Sequence, residues 1–319
     1  MSWIEPPPDF DPHSLAEFIE CVLVTAPESF LSITEIRDYF SVGMQPTNED
    51  ISFALAEVEG RAAGFGPHYP FLVDDGGVLF EPTGTASLYA FLLFMSTRDS
   101  SPARADRNLT SDPLFDVIIR EAFKAAAGEM AEALTFAWPP RGGRPGDFPD
   151  AVEWAAREMG LEVRDKSEIG THYKDAGVDV ITWLPFNDGR TGFPIVLVQA
   201  TVQKNFRSKS RDVVPTQWHG WLKIDANPAV GFGIPFSLPA RDPWWSDVTR
   251  EVHLAMDRRR IMNALGRQDP TLWPEWNEIA KFVEVEIAEL QSRDKLAAPS
   301  SRILRRRKSR RRTGSETSS

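Results

Sequence analysis

Two short apolar runs joined by a polar turn stand out in the middle of the chain. Val178–Leu184 and Ile195–Ala200 are rich in Val and Ile and are bounded by turn residues, a pattern typical of buried β-strands. Between them lies the dipeptide Asp188-Gly189, which favours a hairpin turn. The pattern therefore predicts two neighbouring strands in the middle of a sheet.

Polar residues interrupt both of these runs. Asp179 lies inside the first, Gln199 lies near the end of the second, and Lys204 and Lys209 follow shortly afterwards. A carboxylate is costly to bury unless it is paired or coordinates a metal ion. We therefore expect Asp179 to have a specific partner.

The N-terminal third of the chain shows three helical patterns followed by a hairpin. Ser14 and Ser32 each precede a Glu by three residues, a capping-box spacing that marks helix starts. A third helix is expected from Thr47 to about Ala63, and Tyr69–Val73 with Val78–Glu81 flank a Gly-rich hairpin turn. This order is that of a winged-helix domain, although its acidic third helix favours a packing or protein-contact role over DNA binding.

Further helices and one strand are expected in the rest of the chain. Helical patterns cover Ser87–Ser96, Ser111–Leu134, Phe148–Met159, Asp247–Leu265 and Ala280–Leu290, and a strand is expected at Phe232–Leu238. Trp218 and Trp221 lie three residues apart, which puts them on one helix face in the core. The rigid loop Pro139–Pro145 carries two arginines that either contact a phosphate backbone or are solvated.

Composition shifts predict the domain boundaries. We expect a helical, winged-helix-like domain over residues 1–98, a linker over 99–110, an α/β domain over 111–292 and a disordered basic tail over 293–319. The net charge is −10, and residues 302–319 hold eight Lys and Arg against one Glu, so the remaining body is near −17. An acidic body repels polyanions, so a nucleic-acid role requires a local basic surface or the tail.

Several functional classes lack their sequence signals. No apolar run reaches the roughly 20 residues that span a bilayer, and the first residues do not read as a signal peptide, so we expect a cytoplasmic protein without membrane contact. The single cysteine, Cys21, is expected in the core. There is no Cys/His zinc spacing, no phosphate-binding P-loop and no Gly-x-Ser-x-Gly elbow.

The central residues resemble a known family. A Gly-x-Asp strand, a hairpin and a strand that ends in Gln with lysine nearby are similar to the core of the PD-(D/E)xK nuclease superfamily. More narrowly, Asp175–Ile181, Asp188–Arg190 and Gln199–Phe206 resemble restriction-endonuclease-like proteins of bacterial anti-phage loci. The resemblance covers roughly residues 111–265 and implies an α/β fold in which helices flank a restriction-endonuclease-like mixed sheet.

The resemblance also implies a chemistry. It assigns Asp116, Asp179 and Gln199 as ligands of Mg²⁺ or Mn²⁺, with Glu121 as an alternative to Asp116. Asp179 and Gln199 would be catalytic together with Lys204 or Lys209, which would orient the attacking water or neutralise charge. Asp116 has a second interpretation as an early-turn acid favoured by the helix dipole. One position departs from the family, because its usual Glu/Gln-x-Lys pattern would place a lysine where this chain has Thr201.

Two functional hypotheses follow. The first is a metal-dependent nuclease that hydrolyses DNA phosphodiester bonds in bacterial defence against foreign DNA. The second is a catalytically inactive scaffold or binding subunit, with a protein partner encoded in a defence operon. Convergence of Asp116, Asp179, Gln199 and a lysine would favour the nuclease. A salt bridge from Asp179 to Arg190, with both lysines turned away, would favour the scaffold.

Overall fold

The computed structural model describes residues 6–7, 9–26, 28–40, 45–74, 76–82, 84–97, 113–186, 188–239 and 242–297. These residues form an α/β protein with ten helices, a three-stranded sheet and a five-stranded sheet. The chain divides into two compact units that alternate along the sequence. Unit 1 comprises Met1–Gly60, Phe71–Glu81 and Lys281–Ser319, and unit 2 comprises Arg61–Pro70 and Pro82–Ala280.

The predicted domain bounds remain a prediction. The linker at 99–110 lies outside the described residues, as does the basic tail from 298 onward. The last helix continues to Ala297, so it enters the segment predicted to be a disordered tail.

Unit 1 contains the predicted helices and hairpin of the N-terminal third. Its elements are α1 (Pro12–Thr25), β1 (Phe30–Ser32), α2 (Ile33–Asp38), α3 (Asn48–Phe65, which extends into unit 2), β2 (Phe71–Asp74) and β3 (Gly77–Phe80). The three strands form an antiparallel sheet in the order β1-β3-β2. The order of three helices and a hairpin is confirmed, while β1 is a strand that the sequence patterns do not predict.

The two predicted helix caps have different outcomes. The capping box at Ser32 is confirmed, because its hydroxyl accepts a hydrogen bond from the Glu35 amide at 3.2 Å and its own amide donates to Glu35 at 2.9 Å. The cap at Ser14 is wrong. Asp11 caps α1 instead by accepting from the amide of Ser14 at 3.1 Å, because Pro12 already occupies the first helical position.

Unit 2 is built on the five-stranded mixed sheet. Its elements are α4 (Ala86–Ser96), α5 (Pro113–Ala127), β4 (Glu132–Thr135), α6 (Phe148–Glu158), β5 (Val180–Trp183), β6 (Ile195–Ala200), α7 (Pro215–Trp221), β7 (Ala229–Gly233), α8 (Pro243–Glu251), β8 (Leu254–Met256), α9 (Arg258–Leu265) and the start of α10 (Trp276–Ala297). The strand order is β4-β5-β6-β7-β8, with β4, β5 and β6 antiparallel and β6, β7 and β8 parallel. The central hairpin is thus confirmed as β5–β6.

Three predicted elements in unit 2 have the wrong bounds. The helix expected over Ser111–Leu134 ends at Ala127, and β4 follows it because those residues pair with β5. The helix expected over Asp247–Leu265 is split by β8, which pairs with β7. The strand expected at Phe232–Leu238 lies earlier, as β7.

Helices cover both faces of this sheet. Trp218 and Trp221 of α7 are buried with residues of α6 in the core on one face, as predicted. On the other face, α5 approaches β7 so closely that a Cβ on Gly231 would lie 2.5 Å from the Phe123 ring. Glycine in β7 therefore lets α5 lie directly on the sheet, and α5 carries Asp116.

Candidate functional site

Asp179 and Gln199 meet at the end of the sheet where β5 begins and β6 ends. The antiparallel register places them opposite each other, one pair beyond Val180 and Val198. The Gln199 amide nitrogen donates to the Asp179 Oδ2 atom at 2.7 Å, and the backbone amide of Ala200 donates to the same oxygen at 2.7 Å. Two strands thus fix the Asp179 carboxyl group.

Asp116 supplies a second carboxyl group from α5. Its side chain is buried, and burial raises its pKa to about 7, with the charge of Arg141 lowering it and that of Asp175 raising it. Burial also raises the pKa of Asp179 well above its ordinary value, and the negative charge of Asp116 raises it further. Among the described residues, neither carboxylate forms a salt bridge. At neutral pH this acid pair, Asp116 and Asp179, therefore holds at least one proton unless a cation binds.

A tight turn positions the start of β5. The Asp175 carboxylate accepts a hydrogen bond from the amide of Gly177 at 2.9 Å, and Gly177 has a positive φ of 76°. A Cβ on Gly177 would lie 2.6 Å from the carbonyl oxygen of Asp212, so only glycine permits this close approach. The 3₁₀ helix Phe206–Arg211, which ends next to Asp212, is thereby held against the loop that leads to Asp179.

The amide oxygen of Gln199 is a notable feature of the site. This Oε1 atom is buried and has no hydrogen-bond partner among the described residues. A buried acceptor without a partner costs free energy, and Mg²⁺ prefers hard oxygen ligands such as carboxylates and carbonyls. Asp116, Asp179 and Gln199 therefore fit a hard divalent cation by their chemistry. No group of three His, Cys, Asp or Glu side chains arranged for a metal ion is found in the described part of the chain.

The two lysines predicted for the site differ in position. Lys209 lowers the pKa of Asp179 through its charge, and its ammonium group forms a salt bridge with Asp212 at 3.1 Å. Lys204 is exposed. The structure thus associates Lys209, and not Lys204, with the acid pair. Thr201, at the position of the family's lysine, is buried.

The alternative partner of Asp179 is not seen. Arg190 is 84% exposed and lies 4.0 Å from Asp188, while Asp179 bonds to Gln199 and Ala200. The salt bridge that would have favoured the scaffold hypothesis is therefore absent between these described residues.

The loop Pro139–Pro145 is more closely packed than its sequence predicts. Arg144 in the loop Pro139–Pro145 is buried rather than solvated, and its guanidinium donates to the carbonyls of Pro145 and Lys174. Arg141 in the same loop is exposed, and its charge acts on Asp116. Two arginines between prolines and glycines mark the loop as unusual in the sequence. Their interactions with the Lys174 carbonyl and with Asp116 depend on tertiary structure.

A cavity elsewhere in unit 2 contains none of the predicted site residues. It has a volume of about 410 Å³ and lies at the edge strand β4, where Arg120, Trp154 and Trp183 contribute to its lining. Over the described residues, none of the helices combines the length and apolar character needed to cross a membrane.

Comparisons with known proteins give no relative: no family model, no curated protein and no solved structure matches this chain.

Proposed function

We propose that the protein is a metal-dependent nuclease that hydrolyses phosphodiester bonds at the acid pair. The observation that carries this proposal is the electrostatic interaction of two carboxyl groups, the buried Asp116 of α5 and the partly buried Asp179 at the start of β5, with no salt bridge to either among the described residues. Structural carboxylates are normally paired when buried. Perturbed acids that share a site are instead typical of functional centres.

The chain's own residues provide the roles that this chemistry needs. Asp116, Asp179 and the Gln199 amide oxygen would hold Mg²⁺ or Mn²⁺. When bound, such an ion activates water and stabilises charge that develops on the phosphate. Gln199 orients Asp179 by donating to its Oδ2 atom at 2.7 Å. Lys209 places a positive charge near Asp179, where it would neutralise charge on the transferring phosphoryl group.

The coarse α/β architecture supports the proposal. A mixed sheet is flanked by helices. The helix α5, which directly precedes β4, carries Asp116, and the charge of Asp116 acts on Asp179 at the start of the central hairpin. DNA as the substrate, a role in defence against foreign DNA and a cytoplasmic location are proposed from the resemblance alone.

The direct test is cleavage of plasmid and single-stranded DNA by the full chain with Mg²⁺ or Mn²⁺. Asp179→Asn is expected to abolish cleavage, because it keeps the shape of the side chain and removes its charge. Asp188→Asn is the matched control, since Asp188 is half exposed in the same hairpin and its partner among the described residues is Arg190. Equal activity of the wild type and Asp179→Asn would exclude this site, and a folded wild type that binds no divalent cation would exclude the nuclease.

A second candidate function is an inactive scaffold or binding subunit with a protein partner. The observation in its favour is the buried Thr201 where the family has its lysine, together with the engagement of Lys209 by Asp212. Isothermal titration with Mg²⁺ and Mn²⁺ separates the two functions. The nuclease requires metal binding that Asp116→Asn weakens, whereas the scaffold requires none.

A further inference from the structure

The loop after β4 begins directly beside the acid pair. The backbone amides of Phe136 and Ala137 both donate to the carbonyl oxygen of Asp179, at 2.6 Å and 3.0 Å. Trp138 is the next residue, and its side chain is 37% exposed. A large aromatic surface is therefore open to solvent one residue from the backbone contact with Asp179.

A buried arginine holds this loop in place. The Arg144 guanidinium carbon lies 4.4 Å from the centroid of the Phe136 ring and 5.8 Å from that of the Trp138 ring. The same group donates to the carbonyl of Lys174, in the segment that leads to Asp179. Arg144 thus links the loop that carries Trp138 to the segment before β5, so the exposed indole has a fixed support.

The loop also carries a cation whose charge acts on the acid pair. Arg141 is exposed and its positive charge acts on the Asp116 carboxyl group. Among the described residues, no carboxylate forms a salt bridge with Arg141. An exposed arginine of this kind is suited to bind a phosphate group.

A second contact between an exposed tryptophan and an arginine lies later in the chain. Trp244 is 41% exposed, and the Arg207 guanidinium lies 4.3 Å from the centroid of its ring. Arg207 belongs to the 3₁₀ helix that carries Lys209, whose charge acts on Asp179. Trp244 of α8 therefore lies against the 3₁₀ helix that carries Lys209, and Trp138 follows the two residues whose amides bind the carbonyl of Asp179.

From this arrangement we propose that the site takes single-stranded nucleic acid, with unpaired bases stacked on Trp138 and Trp244 and phosphates bound by Arg141. This inference rests on the proposed function, which it refines by substrate class. Aromatic side chains stack on unpaired bases regardless of sequence, and neighbouring cations follow the phosphate backbone. A base inside a duplex presents no free face to such a side chain. The acidic body also disfavours the denser charge of a duplex.

The test measures binding by fluorescence anisotropy with EDTA present, so that metal-dependent cleavage does not interfere. The full chain is titrated into labelled oligonucleotides of one sequence as single-stranded DNA, single-stranded RNA and duplex DNA. Wild type is expected to bind at least one single strand about tenfold more tightly than the duplex. Trp138→Ala and Trp244→Ala should each weaken that binding by about 5- to 150-fold, the effect of losing one stacked base.

Two variants control for folding and for unspecific effects. Trp138→Phe keeps an aromatic face and should retain most of the binding. Phe186→Ala should change nothing, because Phe186 is a 55% exposed aromatic residue beyond the opposite end of β5. All variants keep the basic tail, so any binding by the tail is common to them and does not produce a difference.

Cleavage of the same oligonucleotides with Mg²⁺ separates this inference from the proposed function. Metal-dependent cleavage that prefers the duplex, or tryptophan variants that bind single strands as the wild type does, overturns the inference and leaves the nuclease standing. Tryptophan-dependent binding of a single strand, without cleavage in any metal, supports the binding surface and overturns the nuclease. The DNA and RNA arms identify which single strand is the ligand.

Discussion

Among the described residues of unit 2, Asp257 and Asp116 of the acid pair are buried carboxyl groups, and they are stabilised differently. Asp257 is buried at the start of α9, where it accepts a hydrogen bond from the amide of Arg260 at 2.9 Å. Burial raises its pKa, and a second amide, from Leu238, together with the charges of Arg260 and Arg258, opposes that shift. The acid pair has fewer stabilising contacts. Asp179 has one backbone donor, the Gln199 amide and the charge of Lys209, and the pKa of Asp116 is lowered by the charge of Arg141.

This difference separates a structural acid from a candidate functional one. Asp257 caps a helix, and its neighbour Arg258 is itself satisfied by the carbonyl of Pro235 at 2.9 Å and the hydroxyl of Ser96 at 2.7 Å. Every charge there has a partner within the fold. At the acid pair the charge of Asp116 raises the pKa of Asp179, and no ion pair to either carboxyl group lies among the described residues. A proton or a bound cation would therefore balance their negative charge.

The largest expected effect has the sign opposite to that of most mutations. The pKa of Asp116 is raised from 3.8 to about 7 in the folded protein, so the folded state keeps a proton that the unfolded chain loses. Stability therefore falls as the pH rises from about 4 to about 7. Without divalent cations at pH 8, Asp116→Asn should raise the free energy of unfolding by up to about 4 kcal/mol.

Chemical denaturation across pH measures this effect. The gain should vanish below pH 4, where both states of the wild type are protonated. Asp188→Asn, at a half-exposed acid, should stay within about 0.5 kcal/mol of the wild type throughout. An Asp116→Asn variant that is less stable than the wild type at pH 8 would show that the acid pair is satisfied within the fold.

The next largest effect concerns Asp257, whose replacement should destabilise the protein. Asp257→Ala removes the cap of α9 and two backbone hydrogen bonds to a charged group. We expect a loss of about 3 kcal/mol in the free energy of unfolding. Asp257→Asn should recover part of this loss, since an amide oxygen also caps a helix. If Asp257→Ala and Asp116→Asn shifted stability in the same direction, the distinction between the two acids would fail.

Stabilisation of the protein by a metal ion should depend on the acid pair and not on Asp257. At a concentration one hundred times its dissociation constant, Mg²⁺ or Mn²⁺ should stabilise the wild type by about 2.7 kcal/mol at a single site. Asp116→Asn should lose most of this gain, whereas Asp257→Asn should keep it. Thermal melting with and without the ion gives the comparison, and an equal gain in both variants would place the metal elsewhere.

The sequence predicts the local elements of this fold better than their limits. β5 and β6 are apolar, β-branched and joined by a turn, so local pattern and tertiary pairing agree. β4 follows a helix with residues such as Ala131, Glu132 and Ala133 that also favour a helix. Pairing with β5 overrides that propensity, and a pattern within one segment does not contain this information.

The candidate site likewise contains residues that the sequence identifies and residues whose position depends on the assembled fold. Asp179 and Gln199 are identifiable because each is a polar residue in an apolar run, and their pairing follows from the hairpin register. Arg141 lies in the Pro- and Gly-rich loop Pro139–Pro145 and Trp138 directly precedes it, and this composition does not indicate where the loop lies in the fold. Their position depends on two hydrogen bonds from the end of β4 to Asp179, a contact between residues more than forty positions apart in sequence that requires the assembled sheet.

The smallest effect on stability distinguishes the two candidate lysines. Lys204 is exposed, so Lys204→Ala should change the free energy of unfolding by less than about 0.5 kcal/mol. Lys209→Ala removes a partly exposed ion pair with Asp212 and should cost less than about 1 kcal/mol. Cleavage should separate them clearly. Loss of a charge that stabilises the transition state lowers kcat by roughly 100-fold or more, and we expect this for Lys209→Ala alone.

Lys209→Arg is the matched variant for this comparison, because it keeps the charge and changes the geometry of its donors. Partial rescue of cleavage by Lys209→Arg would show that the charge near Asp179 is what matters. Loss of activity in Lys204→Ala, with Lys209→Ala unaffected, would assign the role to the lysine that the structure leaves in solvent. The ion pair of Lys209 with Asp212 would then be purely structural, as the hydrogen bonds of Asp257 are.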